Sequence, residues 1–153
     1  MDLLLWRHAE AFDADIGEDD LSRKLTPKGE RQAKRMADWL NRHLAESTRV
    51  LVSPALRCQQ TAAALGKKTK TVPELAPGAP VQALLDASRW PDSNSPVLIV
   101  GHQPTLGKLA SQLLTGTPYP LAVKKGGVWW LRHRSRDGSA EVVLQAVQSP
   151  DNR

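Results

Sequence analysis

The chain has 153 residues, of which 41% are hydrophobic and 24% are charged, and its formal net charge is +5. This length and composition are typical of one soluble globular domain, so we expect residues 1–153 to form a single domain. No apolar run approaches the roughly 18 residues that a membrane-spanning helix needs, and the first residues lack the basic, apolar and small-residue regions of a signal peptide.

The cysteine content and the distribution of charge narrow the class of protein further. Cys58 is the single cysteine and cannot form an intrachain disulfide, which favours a reducing, cytoplasmic location. The basic residues are scattered among acidic ones, so we expect a solvated surface and neither a nucleic-acid nor a membrane partner.

The first third of the chain predicts a strand, a loop and a helix. Residues 2–6 are a short apolar run that ends abruptly at Arg7-His8. Residues 9–26 are acidic and irregular, which indicates a loop. Thr26 before Pro27 is an N-cap followed by proline at the first helical position, and apolar residues follow at helical spacing. We therefore expect a helix from about Pro27 to Ala45.

The rest of the chain continues the alternation of strand and helix. Strands are predicted at 50–52, 71–72 and 97–100, and helices at 53–66, 81–87 and from Pro104 onward. Residues 127–133 and 141–147 flank Arg136-Asp137-Gly138-Ser139, which predicts a two-stranded hairpin. The fold class expected is α/β, a three-layer sandwich with a mostly parallel central sheet, helices on both faces and little or no lid subdomain.

Three predicted strands end in the same way, with a polar residue directly after the apolar run. The segments are Trp6-Arg7-His8, Val52-Ser53-Pro54-Ala55-Leu56-Arg57 and Val100-Gly101-His102. Ligands of open α/β sheets bind outside the carboxyl ends of the strands. If the three strands are parallel neighbours, two guanidinium groups and two imidazoles meet there, a set that suits a phosphate dianion.

Each of these residues also has an ordinary structural explanation. His8 alone could be a histidine satisfied at a strand end, Arg7 could pair with Glu10 or Asp13, and Arg57 could be a surface arginine. We interpret Ser53 as a helix N-cap and leave it outside the site.

The remaining cysteine and histidines are interpreted as structural. We expect Cys58 to pack within its helix, because a cysteine phosphatase needs an arginine six residues after the cysteine and position 64 is alanine. His43 and His133 lack comparable partners, so we expect them on the surface or on the sheet.

Four segments together resemble the motifs of the histidine phosphatase superfamily, the phosphoglycerate-mutase-like proteins. They occur in the family's order: Arg7-His8-Ala9-Glu10, Leu25 to Ala33, Val52 to Ala62 and Val100-Gly101-His102-Gln103-Pro104. The short chain and Pro73-Glu74-Leu75-Ala76-Pro77-Gly78 make it most similar to SixA-like phosphohistidine phosphatases. Ala9 departs from the glycine of the wider family, which leaves less room beside His8.

The resemblance implies a metal-independent phosphatase without a cofactor. His8 would be the nucleophile, its second ring nitrogen donating to a backbone carbonyl, and Arg7, Arg57 and a protonated His102 would bind the phosphoryl group. Nearby arginines should lower the pKa of His102, and bound phosphate should raise it. Glu74 is the first candidate for the proton donor, with acids of the segment 13–20 in reserve.

The spacing of the motifs bears on the substrate. Only 44 residues separate Arg57 from His102, which leaves little chain for a lid and predicts a shallow, open pocket. We therefore expect a phosphorylated protein as partner, such as a histidine phosphotransfer domain, and a monomer is compatible with the sequence. Two alternatives stay open: a phosphatase of small phosphoesters with the same mechanism, and a phosphate- or phosphoprotein-binding module with weak catalysis.

Overall fold

A six-stranded sheet forms the centre of the protein. The computed structural model describes residues 1–151, so Asn152 and Arg153 of the predicted domain lie outside the described residues. The strands are β1 (Asp2–Arg7), β2 (Arg49–Val52), β3 (Lys70–Thr71), β4 (Val97–Gly101), β5 (Val128–Arg136) and β6 (Ser139–Gln148). Their order is β3-β2-β4-β1-β5-β6. The first four are parallel to one another, whereas β5 pairs antiparallel with β1 and β6 pairs antiparallel with β5.

Helices cover both faces of this sheet. They are α1 (Pro27–His43), α2 (Leu56–Ala63), α3 (Val81–Ser88) and α4 (Thr105–Thr115). Side chains alternate across a strand, so Leu4 and Trp6 of β1 pack in the core with α1 and α2. Leu3 and Leu5 of the same strand pack in the second core with α3 and α4. The predicted fold class is confirmed.

The start of α1 follows from its capping residues. Thr26 is the N-cap, and its Oγ1 accepts a hydrogen bond from the Gly29 N–H at 2.9 Å. Pro27 occupies the first helical position, where the backbone N–H that proline lacks would have no partner within the helix. A β-carbon at Gly29 would lie only 2.0 Å from the Glu10 carbonyl oxygen, so glycine lets this helix approach the segment after β1.

The strand register brings the predicted site residues to one edge. Arg7 of β1 is the register partner of Gly101 in β4, and Val52 of β2 is the partner of Val100. The pairing continues past the strands, because the His8 N–H donates to the Gly101 carbonyl and the Ser53 N–H to the Val100 carbonyl, each at 3.1 Å. The residues after β1, β2 and β4 therefore lie side by side.

Two differences between the observed elements and the sequence predictions bear on the site. Helix α2 begins at Leu56 with Ala55 as its N-cap, so the prediction that Ser53 caps this helix is wrong. The segment 9–26 is not wholly irregular, since it contains a 3-10 turn at Asp20–Ser22 and a bridge between Ala11 and Leu25.

The carboxyl-terminal hairpin is confirmed. Its two turn residues, Asp137 and Gly138, have φ of 50° and 78°, as a two-residue turn between twisted strands requires. Among residues 1–151, no helix is long and apolar enough to cross a membrane.

Candidate active site at the carboxyl edge of the sheet

His8 is held by a backbone hydrogen bond that determines its tautomer. Its Nδ1 lies 2.8 Å from the Ala9 carbonyl oxygen. Because a carbonyl can only accept, Nδ1 carries the hydrogen and Nε2 keeps its lone pair, as the sequence predicted for the second ring nitrogen. Burial has the largest effect and, together with Arg57 and Arg7, lowers the pKa of His8 to about 4, although the hydrogen bond to Ala9 acts in the opposite direction. The ring is therefore neutral at physiological pH.

The residue after His8 is tied to helix α2. The Ala9 N–H donates to Thr61 Oγ1 at 3.0 Å, and the Thr61 hydroxyl donates to the Arg57 carbonyl at 2.7 Å. The Ala9 methyl is fully buried against Leu25 and Ala33, so the site accommodates alanine where the wider family has glycine. Thr61 thereby joins the backbone beside His8 to the helix that carries Arg57.

His102 faces His8 across the site and is bound by a serine. The two ring centroids are 5.3 Å apart, and His102 Nε2 lies 2.8 Å from Ser53 Oγ. Ser53 Oγ accepts from the Ala55 N–H, which leaves its own hydrogen free for Nε2. Burial, followed by His8 and Arg57, lowers the pKa of His102 to about 3. The predicted direction of this shift is confirmed.

Cys58 lies beside the same imidazole. Its Sγ is 3.4 Å from His102 Nε2, and the thiol is buried, which raises its pKa to about 12. A thiol with this pKa stays protonated near neutral pH, so Cys58 is a packing residue in α2 as predicted, and it also lies against His102.

Arg7 is anchored by a backbone carbonyl rather than by a carboxylate. Its Nη1 donates to the Val123 carbonyl at 2.9 Å, so the pairing with Glu10 or Asp13 considered from the sequence is not what holds it. Its Nε is buried and has no hydrogen-bond partner. Buried polar groups are almost always paired, so this atom is a candidate donor to a phosphoryl oxygen.

The segment that supplies the Val123 carbonyl is itself held by α4. The Gln103 side chain donates to the Leu121 carbonyl at 2.7 Å and accepts from the Gly107 N–H at 2.7 Å. A β-carbon at Gly107 would lie 1.8 Å from the Leu121 carbonyl oxygen. The small residue therefore allows α4 to lie directly against the segment that positions Arg7.

Arg57 is buried and paired with an acidic residue of the segment 9–26. Only 4% of its side chain is exposed, so the surface-arginine interpretation is wrong. Its Nη1 donates to the Asp20 carbonyl at 2.8 Å and its Nη2 to Asp20 Oδ2 at 3.1 Å. Its Nε, like that of Arg7, is buried and unpartnered.

The site is more enclosed than the sequence predicted. His8 and His102 are only 8% and 6% exposed, and Asp20 lies against Arg57. The prediction of a shallow pocket rested on the short stretch between Arg57 and His102, and it did not consider the segment 9–26.

Glu74 has no hydrogen bond or ion pair to this group in the structure. It is an exposed residue of the 3-10 turn Pro73–Leu75 and lines a surface cavity of about 460 Å³ with Lys70 and Asp86. None of the four site residues Arg7, His8, Arg57 and His102 lines that cavity. Its role as a proton donor stays a prediction.

Sequence reasoning missed the contacts that Ser53 and Asp20 make in the site. Ser53 follows β2 just as His8 follows β1 and His102 follows β4, so its position was a usable signal that the N-cap interpretation obscured. The contact of Asp20 with Arg57 had no local signal, because the two residues are 37 positions apart and belong to different elements. Within residues 1–151, no cluster of three or more histidine, cysteine or acidic residues is arranged to hold a metal ion.

Comparison with known proteins assigns this site to a family. Residues 3–79 match the model of the histidine phosphatase superfamily, branch 1. The chain belongs to the histidine phosphatase superfamily, and it is a metal-independent phosphatase of that class.

The chain is similar to proteins of the SixA group within that family. It is 32% identical over 134 residues to phosphohistidine phosphatase SixA of Escherichia coli K12, which covers 79% of each chain. It superposes on a structure of the protein histidine phosphatase SixA complexed with tungstate, with a TM-score of 0.75, 29% identity and coverage of 98% of this chain and 97% of that one.

More distant structures share the fold alone. Phosphoserine phosphatase of Entamoeba histolytica, solved as a mutant in complex with phosphoserine, has a TM-score of 0.69 at 17% identity and covers 98% of both chains. The resemblance inferred from the sequence motifs is thus confirmed.

Proposed function

We propose that this protein is a phosphohistidine phosphatase that removes phosphoryl groups from histidine side chains of proteins through a covalent intermediate on His8. The observation that carries the proposal is the anchored, neutral imidazole of His8, with its Nδ1 donating to Ala9, beside the buried guanidinium of Arg57 and the partly buried guanidinium of Arg7. Such a nitrogen is a nucleophile with its lone pair already available.

In the first step His8 takes the phosphoryl group from the substrate. The Nε2 lone pair forms a bond to phosphorus while the bond from phosphorus to the substrate's ring nitrogen breaks, and that electron pair stays on the departing imidazole. Arg7 and Arg57 bind phosphoryl oxygens through donors that include their two unpartnered Nε atoms. These cations offset the charge that shifts in the transition state.

In the second step water attacks phosphorus and frees His8. The bond to Nε2 breaks, its electron pair returns to that nitrogen, and the proton of the water passes to the phosphate or to solvent. Because Nδ1 keeps its hydrogen on the Ala9 carbonyl, His8 leaves as a neutral imidazole, which is a far better leaving group than an imidazolide. Hydrolysis thus returns the tautomer with which the cycle begins.

His102 acts as a third donor once a phosphoryl group is bound. Burial lowers its pKa to about 3, so it is neutral near physiological pH. A dianion at the centre of the site favours the protonated form and raises this pKa again. Ser53 holds the ring by its Nε2, so Nδ1 is the nitrogen available to the phosphoryl group.

The choice of phosphohistidine as substrate is supported by the carboxylates. Arg57 and Arg23 lower the pKa of Asp20 in spite of partial burial, so Asp20 is ionised and cannot donate a proton. An alkoxide leaving group needs a placed acid, whereas a phosphohistidine takes its proton from solvent near neutral pH, because histidine has a pKa of about 6.5.

The partner and setting follow as part of the same proposal. We infer a phosphorylated protein as the partner, with the described chain acting as one domain in the cytoplasm. The buried, free Cys58 is compatible with a reducing compartment. The similarity to SixA supports this choice over a small phosphoester.

The test compares two substrates and two histidine variants. Wild type, His8→Ala and His43→Ala are incubated with a phosphohistidine-bearing phosphotransfer domain and with p-nitrophenyl phosphate. His43 is the matched control, because it is an exposed histidine of α1. We expect turnover of the phosphohistidine protein by wild type and His43→Ala and none by His8→Ala. Equal turnover by His8→Ala, or a much higher kcat/KM for a small phosphoester, would contradict the proposal.

A further inference from the structure

Asp20 occupies the outer edge of the Arg57 guanidinium. Both terminal nitrogens of Arg57 are bound to this one residue, Nη1 to its carbonyl at 2.8 Å and Nη2 to its carboxylate at 3.1 Å. Arg57 is almost completely buried, whereas the Asp20 side chain is 53% exposed. The Asp20 carboxylate is therefore bound to Arg57, one of the two arginines that the proposed function assigns to the phosphoryl group.

The segment that carries Asp20 is held mainly by local contacts. Arg23 donates to Asp20 Oδ1 at 3.2 Å and to the Phe12 carbonyl at 2.7 Å, and the Asp19 carboxylate accepts from the Leu21 N–H. The 3-10 turn Asp20–Ser22 has no buried residue. A segment with little buried apolar surface opens at low cost in free energy, and Asp20 can keep its bond to Arg23 when it leaves Arg57.

Binding of a phosphoryl group puts two anions in competition for one guanidinium. A phosphoryl oxygen and a carboxylate repel each other at close range, and the terminal nitrogens of Arg57 are the donors that Asp20 already uses. The Nε atoms of Arg7 and Arg57 are shielded and unpartnered in this closed form. A phosphoryl group that takes the terminal nitrogens of Arg57 therefore displaces Asp20 from them.

We propose that Asp20 is a resident anion that a bound phosphoryl group displaces from Arg57, and whose return weakens the binding of free phosphate. Asp20 then lowers the affinity for the product, so that phosphate leaves a site whose cations would otherwise retain it. The inference rests on the phosphoryl site of the proposed function, but it concerns binding and not the identity of the substrate.

The first measurement is the binding of inorganic phosphate by calorimetry to wild type, Asp20→Asn and Asp15→Asn. Asp15 is the matched control, because it is an exposed acid of the same segment whose side chain makes no bond to Arg57. We expect Asp20→Asn to bind phosphate about tenfold more tightly than wild type, as a lost competitor worth about 1.4 kcal/mol predicts, and Asp15→Asn to change by less than about twofold.

The second measurement needs no variant and separates displacement from simple repulsion. Hydrogen exchange of the wild-type amides 20–23 is followed with and without saturating phosphate. Displacement predicts faster exchange when phosphate is bound, since the covering segment is released. Unchanged exchange, or phosphate binding by Asp20→Asn no tighter than by wild type, overturns the inference. Neither result depends on turnover of phosphohistidine, so failure here is distinguishable from failure of the proposed function.

Discussion

Ser53 Oγ lies 2.8 Å from Nε2 of His102, although the two residues follow different strands, β2 and β4. The pairing of β2 with β4 places them side by side, because Val52 is the register partner of Val100. The contact leaves Nδ1 of His102 as the nitrogen that can face a phosphoryl group. Ser53 is therefore a positioning residue for His102.

Substitution of Ser53 by alanine tests this relationship. The His102 ring loses its anchor at Nε2, so we expect kcat/KM for p-nitrophenyl phosphate to fall about tenfold, as a lost hydrogen bond of about 1.4 kcal/mol predicts. Steady-state kinetics measure the effect. Ser135→Ala, at an exposed position of β5, is the control and should leave kcat/KM unchanged. Equal kcat/KM in Ser53→Ala and wild type would remove Ser53 from the site.

Thr61→Val tests the link between α2 and the backbone beside His8. The substitution keeps the shape of the side chain but removes the acceptor of the Ala9 N–H and the donor to the Arg57 carbonyl. We expect the free energy of unfolding to fall by about 1–3 kcal/mol, measured by urea denaturation. Thr61→Ser keeps the hydroxyl and should lose less. If Thr61→Ser and Thr61→Val lower the free energy of unfolding equally, the hydrogen bonds of the Thr61 hydroxyl do not contribute to stability.

Gly107→Ala tests how α4 positions Arg7. The new methyl would overlap the Leu121 carbonyl and displace the segment that ends at Val123, the acceptor for Arg7. We expect a loss of about 1–3 kcal/mol in the free energy of unfolding and a higher KM for p-nitrophenyl phosphate. Lys108→Ala, the next residue of the same helix, is the control. Unchanged KM in Gly107→Ala would argue against this route to Arg7.

The buried histidines predict how stability depends on pH. His8 and His102 have pKa values lowered to about 4 and 3 in the folded state, against about 6.5 in the unfolded chain. Between these values the unfolded state binds more protons, so the free energy of unfolding falls as the pH is lowered below 6.5. It is at its full value above that pH.

The measurement is urea denaturation between pH 5 and 6.5, above the range in which most carboxylates titrate. The double variant with His8→Asn and His102→Asn should flatten the slope, whereas His43→Asn should retain it, because His43 is exposed. An unchanged slope in the double variant would mean that other groups carry the pH dependence.

The sequence predicted the parts of the site that depend on strand ends. Arg7, His8 and His102 each lie within two residues of the end of an apolar run, and parallel strands bring such ends to one edge. The sequence also predicted the hairpin, because Asp137-Gly138 favours a two-residue turn with positive φ at both positions. In these places local pattern and global fold agree.

The contacts that complete the site could not be read in this way. The acceptor for Arg7 is the backbone carbonyl of Val123. Every residue type has such a carbonyl, so the sequence does not indicate which one accepts. The contact of Asp20 with Arg57 depends on how an acidic segment folds back over the sheet edge. Position 107 requires a glycine because the backbone of Leu121 passes directly beside it, and only the packed structure shows this contact.

The central claim is that His8 becomes phosphorylated on Nε2 during turnover. The most direct measurement is rapid acid-free quenching of the enzyme during turnover of a phosphohistidine protein, followed by intact mass and phosphorus NMR. The account predicts a gain of one phosphoryl group on His8 of wild type, labile to acid, and none on His8→Ala. A wild-type enzyme that turns over substrate and never carries phosphate on His8 would contradict it.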